Sequence, residues 1–293
     1  MDLDYNLGVI TEWTGAAWVQ VRRTYNFTRA VINSFAADEC TLRAAALAYY
    51  GLFSMFPLLL FLIYLATNIL TTTEAQLAVN TVLEQILPFS PDQLENIIGQ
   101  ILASRSSIGV ISLAGLLWSG SAVFAVLEAA LTVIWGGSPR AFWSRRLIAA
   151  FSVMLLSMLF VAYLYFGPIL SWLLPAPTFL YSAILSQLFG FALLLIICTL
   201  LFRIFPNRNV RWTSAINGAI VTALFIQIAR FFFDLYLGLA FRNFGLIYGS
   251  LAWIVALALW SYLVAVLFFF GAEVGAELEE REQLRVKKLE ASV

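Results

Sequence analysis

Histidine is absent from this 293-residue chain. Its absence excludes the Ser-His-Asp and Cys-His nucleophile systems, the H-E-x-x-H zinc site and every imidazole proton relay. Cysteine is scarce: Cys40 and Cys198 stand far apart, and Cys198 sits in an apolar run. Neither a disulfide framework nor a cysteine metal site is expected from them. Charge is sparse as well, at 12% of residues against about 25% in a soluble domain. It sums to a formal net charge of zero, so no bulk basicity points to nucleic acid. The opening residues Met1 to Tyr5 are acidic and no short apolar core follows them, which gives no sign of a cleaved signal peptide. The expectation is a chain without cofactor, metal or nucleic-acid partner, and not an enzyme.

What the chain has instead is hydrophobic residues, 62% of the total. Water cannot solvate that much apolar surface, so lipid is the solvent for much of the chain. The runs are long and continuous, which favours helices over the short alternating segments of a barrel. Six runs exceed the ~20 residues needed to cross the hydrocarbon core. They lie at Ala44 to Leu70, Ile108 to Trp135, Leu147 to Trp172, Phe179 to Ile204, Trp212 to Leu237 and Tyr248 to Val274. Ser119, Gly120 and Ser121 interrupt the second, which reads as broken or re-entrant rather than as one straight span. The fold class is all-α: a polytopic α-helical membrane protein of about six transmembrane helices, with amphipathic helices at the N-terminus and in an outer loop. Its divisions are a surface segment 1–40, a transmembrane domain 41–278 containing the outer loop 71–107, and a charged tail 279–293.

Orientation follows from lysine and arginine. Fourteen of the 17 fall on one side of the membrane, Arg105 and Arg242 fall on the other, and Arg230 lies inside a span. Cytoplasmic loops carry the positive excess, so both termini are expected in the cytoplasm and the membrane is expected to be the bacterial inner membrane. Before Asp38, Trp13, Trp18, Val19, Val21, Phe27 and Ile32 alternate with arginines, as in a helix lying on the inner surface. The outer loop carries two apolar 3-4 stripes, Val79, Val82, Leu83, Ile86, Leu87 and Leu94, Ile97, Ile98, Ile101, Leu102. Ser90, Pro91 and Gln93 supply a helix start for the second. The stripes fit a lid or surface-lying hairpin, or equally a packed loop with no special role. The tail from Glu277 reads as a solvated mixed-sign helix.

Ionisable groups inside spans are costly and mark functional candidates. Four are singled out as substrate-path residues: Glu128, Arg230, Asp234 and Glu273. Glu128 and Glu273 fall near the cytoplasmic ends of their spans, where Arg43, Arg140, Arg145 and Arg146 also sit. They form either a ring of interfacial charges that pair and snorkel or a charged vestibule. Arg230 and Asp234, at i and i+4, share a helix face toward the outer side. They make either a structural pair or a fork for an anionic group. Pro57 kinks the first span. Gly245 with Gly249, and Gly271 with Gly275, have the spacing that allows close helix approach.

Several stretches in one order resemble the YihY/BrkB family of bacterial inner-membrane proteins: Ala44-Ala-Ala-Leu-Ala-Tyr-Tyr50 with Phe53-Ser-Met-Phe-Pro57; Trp118-Ser-Gly-Ser121 leading to Leu127-Glu-Ala-Ala-Leu131 and Ile134-Trp-Gly136; Phe205-Pro-Asn-Arg208; Tyr248-Gly-Ser-Leu-Ala252; and Gly271-Ala-Glu273 with Ala276-Glu-Leu278. The resemblance covers about Cys40 to Leu278. The family often has Leu-Asn after Gly-Ala-Glu, where this chain has Val274-Gly275. It implies a polytopic envelope protein, and the family has long carried a ribonuclease BN label. The residues argue against that label: a metal-dependent nuclease needs clustered ligands in a wet site, and here the carboxylates are scattered at interfaces and tails. Two function classes follow. One is a transporter of an amphiphilic or lipid-like substrate. The other is a non-transporting envelope scaffold or regulator. The expected partners are the lipid bilayer, a lipid-like substrate, and a second copy or an envelope protein.

Overall fold

The computed structural model describes residues 3–69, 105–138, 140–141, 144, 179–248 and 251–292. Among them are six helices and no strand: α1 (Leu3–Ala37), α2 (Cys40–Ile69), α3 (Arg105–Ile134), α4 (Phe179–Ile204), α5 (Trp212–Tyr248) and α6 (Leu251–Glu290). Four described segments are long and apolar enough to cross a membrane, namely Ala114–Ile134, Gln187–Ile204, Trp212–Gly238 and Ile254–Glu290. The chain is an all-α membrane protein. The expected first span, Ala44 to Leu70, lies in α2 as far as Ile69, and Leu70 is outside the described residues. The expected third span, 147–172, and the outer-loop helices with their Ser90 start lie outside the described residues, as does Gly249.

The helix ends are set by local chemistry. Glu39 takes a left-handed φ of 52° and closes α1, while the N–H of Asp38 donates to Ser34 O at 2.8 Å and that of Glu39 to Ala36 O at 3.2 Å. The next residue begins α2, so α1 turns directly into the first long apolar helix. At the end of α3, Gly136 has φ 61°. Its N–H reaches Val133 O at 2.9 Å, and that of Gly137 reaches Thr132 O at 2.7 Å. This pair of bonds is the Schellman closure, and the left-handed position explains why glycine stands at 136.

The expected break in the second span is not there: α3 runs unbroken through Ser119-Gly120-Ser121. The physical reason is that each hydroxyl turns back onto its own helix, Ser119 Oγ donating to Gly115 O at 2.8 Å and Ser121 Oγ to Trp118 O at 2.7 Å. Their polarity is consumed locally and leaves the backbone ladder intact.

The broadest helix contacts are α2 with α3 and α5 with α6, followed by α4 with α5 and α2 with α6. The α2–α3 contact includes Gly115, whose bare backbone faces the Pro57 ring. The α5–α6 contact is closer. A Cβ on Gly271 would collide with Thr222 Oγ1 and stand 2.8 Å from Gly218 O, and one on Gly275 would stand 2.9 Å from Ser214 O. Ser214, Gly218 and Thr222 recur every four residues and make a small-residue stripe against Gly271 and Gly275. The close approach expected of that glycine pair is realised. An aromatic core closes the same end of the bundle: Phe202 of α4 lies 4.9 Å from Phe268 of α6 and 6.4 Å from Trp135 after α3, while Phe124 stacks on Phe205 at 5.7 Å.

Candidate functional site

The arginine-rich end of the bundle is a polar latch built from three short stretches: Trp135 to Arg140 after α3, Phe205 to Arg211 between α4 and α5, and Glu277 to Gln283 of α6. A helix C-terminus leaves carbonyls without intrahelical partners and carries partial negative charge. Each of two arginines answers that need on the other's helix. Arg140, which follows α3, donates from Nη2 to Ile204 O at 2.8 Å at the end of α4, and from Nε to Asn207 Oδ1 at 3.2 Å. Arg208, which follows α4, donates from Nη1 to Trp135 O at 2.8 Å at the end of α3, and from Nη2 to Gln283 Oε1 at 3.0 Å. Asn207 Nδ2 completes the exchange by donating to Ser138 Oγ at 3.2 Å.

The start of α5 has the opposite polarity and receives a carboxylate. Glu279 is buried, and its Oε2 accepts the backbone N–H of Arg211 at 3.1 Å, while Gln283 Nε2 donates to Oε1 at 3.3 Å. Arg211 also pairs with Glu282 at 2.8 Å. The tail is therefore not a solvated extension from Glu277 onward. One side of its first two turns is packed into the latch because α5 presents free N–H groups there; Glu280 faces outward, and every residue beyond Gln283 is exposed. Arg281 ties the same turns to α1: it pairs with Glu277 at 2.6 Å, lies over Phe27 at 4.9 Å, and donates to Asn26 O at 3.3 Å.

Two of the four substrate-path candidates are buried beside this end. Glu128 of α3 and Glu273 of α6 are 3% and 2% exposed, inside the helix packing rather than on an open rim. Oε1 of Glu273 accepts the Cys40 thiol at 3.3 Å. Burial, and then the Glu273 carboxylate, push that thiol above the ordinary range, just ahead of the span. Arg43 sits at the same level and donates from Nε to Asp38 O at 2.7 Å, holding the α1–α2 turn. Glu273 and Glu277 turn to different partners, Cys40 and Arg281.

Arg230 and Asp234 are arranged otherwise. Both are exposed on α5, among Ile228, Phe231, Phe232 and Leu235, which are exposed too. Among the described residues no ion pair joins them. Eighteen residues separate Arg230 from Trp212, about 27 Å at ~1.5 Å per residue, which is nearly the ~30 Å hydrocarbon thickness. They stand one membrane thickness from the latch and are not brought together with Glu128 and Glu273.

Reading from sequence missed Cys40, Asn207 and Glu279. The Trp-Gly-Gly and Phe-Pro-Asn-Arg stretches were the available signal, since a glycine stop and a proline break each announce helix ends that need partners. Among the described residues no group of three His, Cys, Asp or Glu side chains is placed to hold a metal ion.

The family model described as Virulence factor BrkB matches residues 31–292. Among curated relatives, UPF0761 membrane protein lpg0643 of Legionella pneumophila is 27% identical over 272 residues, covering 88% of this chain and 63% of that protein. YfkH of Bacillus subtilis, named as ribonuclease-like, is 28% identical over 88% of this chain and 97% of its own. A UPF0761 membrane protein of Vibrio atlanticus is 26% identical, covering 88% and 83%. The chain thus spans under two thirds of the Legionella relative and nearly all of the Bacillus one. No solved structure matches.

Proposed function

The chain belongs to the Virulence factor BrkB family, and on that premise we propose that it is a transporter of an amphiphilic, lipid-like substrate, embedded in the bacterial inner membrane with its arginine-rich end in the cytoplasm. The observation that carries the reading is the placement of Arg230 and Asp234. Ionisable residues in membrane helices nearly always face a protein interior or a water-filled cavity. These two are exposed on an otherwise apolar face, at the depth of the far headgroup layer. A guanidinium there is a fork for a phosphate, and a carboxylate one turn away suits an ammonium. A phospholipid-like headgroup carries such charges, and its tails suit the surrounding Phe231, Phe232 and Leu235.

The orientation rests on the arginine excess at the latch end. The reading contains no covalent step. The test is movement of a fluorescent lipid probe between leaflets of proteoliposomes, comparing the intact protein with Arg230→Gln, Asp234→Asn, Glu128→Gln and Glu273→Gln. Loss of movement in the α5 variants is expected. No movement from folded, inserted protein overturns the reading.

The latch favours a second reading, an envelope scaffold. Arg140 and Arg208 are both spent on closing helix ends, and the exposed surface at that end includes the basic turn Arg285, Lys287, Lys288. A scaffold uses such a surface to capture envelope proteins or a second copy. Crosslinking from Lys287 in cells that recovers no stoichiometric partner removes this reading.

A further inference from the structure

α1 stands partly outside the family resemblance, since the family match begins at residue 31. Its two faces differ. Phe27, Val31, Ser34 and Phe35 turn toward the bundle: Val31 is buried, Phe27 lies under Arg281, and Phe35 meets Phe270 edge-on at 6.2 Å. About 115° round the helix from that side, Val21, Tyr25 and Ile32 are 61%, 62% and 55% exposed. At 100° per residue these three fall within a strip about 40° wide, with Arg22 about 60° and Arg29 about 40° beyond one edge.

The covering for this face is argued from charge and position. Arg22, Arg23 and Arg29 are exposed, and no acidic residue occurs between Gln20 and Ala37. Asp38 and Glu39 follow at the turn, where the Asp38 carbonyl accepts Arg43. Ile32 lies only eight residues before Cys40, the start of a long apolar helix, so the strip is held close to where the chain enters the bilayer. An apolar strip edged by arginines, with an interfacial tyrosine, is the pattern of a helix lying in a lipid surface.

We propose that the outward face of α1 is a docking surface for the anionic headgroups of the leaflet at the arginine-rich end, with Val21, Tyr25 and Ile32 seated below the headgroups and Arg22 and Arg29 on their phosphates. Each arginine near a negatively charged leaflet adds attraction that salt screens. Because Arg281 grips Asn26 and Phe27 from the other side, the seated helix is also fastened to α6.

The test uses the full chain, with Cys40 replaced by serine and Cys198 by alanine, reconstituted in vesicles of phosphatidylcholine with or without phosphatidylglycerol. Single cysteines at Tyr25, Ile32 and Asn33 carry an environment-sensitive fluorophore. The expected result is blue-shifted emission, shielded from aqueous iodide, at 25 and 32 but not at 33. The shift should grow with phosphatidylglycerol and shrink in high salt, and Arg22→Gln with Arg29→Gln should abolish that growth. Equal iodide quenching at 25 and 33 in anionic vesicles overturns the proposal. So does insertion that ignores phosphatidylglycerol and salt in the otherwise unaltered chain. Energy transfer between labels at 25 on different molecules, diluting out with lipid, assigns the face to a second copy and equally overturns it.

Discussion

The Cys40 thiol, on the first residue of α2, donates to Oε1 of Glu273 on α6 at 3.3 Å, joining positions 233 residues apart. Both side chains are buried. Removing the donor leaves a buried carboxylate oxygen short of a partner, which costs more than the bond's net worth. Cys40→Ala is expected to destabilise the protein by about 1–2 kcal/mol, and Cys40→Ser, which keeps a donor, by clearly less. Thermal unfolding in detergent, followed by tryptophan fluorescence, reads the difference. Equal behaviour of the two variants removes any role for the bond.

The same thiol makes a pH prediction. Its affinity for the proton is raised in the folded chain, first by burial and then by Glu273. An unfolded cysteine releases its proton above about pH 8.5, while the folded one still holds it. The folded state therefore binds more protons in that range, and stability falls as pH rises. Below that pH the contribution is fully present. The intact chain should lose unfolding temperature between neutral pH and pH ~10 more steeply than Cys40→Ser, whose hydroxyl does not titrate there. Parallel curves would remove the thiol as the cause.

The glycine seam between α5 and α6 is tested by adding one carbon. A Cβ at Gly271 meets Thr222 Oγ1 and Gly218 O, the second being backbone that cannot swing away. Gly271→Ala should force the helices apart and cost about 1–3 kcal/mol, the usual penalty of overpacking. Gly51 has nothing within 4 Å of its would-be Cβ, so Gly51→Ala should be neutral or stabilising by about 0.5–1 kcal/mol. Adding Thr222→Ala to Gly271→Ala should recover only part of the loss, because Gly218 O stays in place. Full recovery would mean that the hydroxyl alone sets the spacing.

These contacts divide what sequence can disclose from what it cannot. The helices were legible because apolar length and period are local properties, and Gly271 with Gly275 was legible because its spacing is local too. The partner stripe Ser214, Gly218, Thr222 was not, since small polar residues recur in many helices for many reasons. Ser119 and Ser121 looked like a break because composition does not say where a hydroxyl turns, and here each turns onto its own helix. Glu279 looked solvated because its partner, the N–H of Arg211, is 68 positions away. The bonds of Arg140 and Arg208 likewise connect loops remote in sequence, so only the need for capping could be read in advance.

The exchange of arginines predicts that geometry, not charge alone, holds the latch. Arg208 spans two acceptors, Trp135 O and Gln283 Oε1, with two different nitrogens of one planar fork. A lysine keeps the charge but reaches as a single point. Arg208→Lys should cost about 1 kcal/mol, modest because the side chain is exposed. Gln283→Ala in the Arg208→Lys background should then cost less than Gln283→Ala alone. Strict additivity in that cycle would show that the two residues do not act through each other.

Arg230 and Asp234 give the sharpest separation of function from folding. Both are exposed and neither is ion-paired with the other among the described residues, so Arg230→Gln and Asp234→Asn should leave the unfolding temperature almost unchanged, as surface substitutions do within about 0.5 kcal/mol. If the pair contacts a headgroup, Arg230→Gln should slow lipid-probe movement at least about tenfold, the equivalent of one lost charge-assisted hydrogen bond of about 1.4 kcal/mol. Asp234→Asn should act mainly on probes bearing an ammonium and leave those with a neutral glycerol headgroup little affected. Loss of flux together with loss of stability in both variants would instead make the pair structural, and the transport reading would lose the observation it stands on.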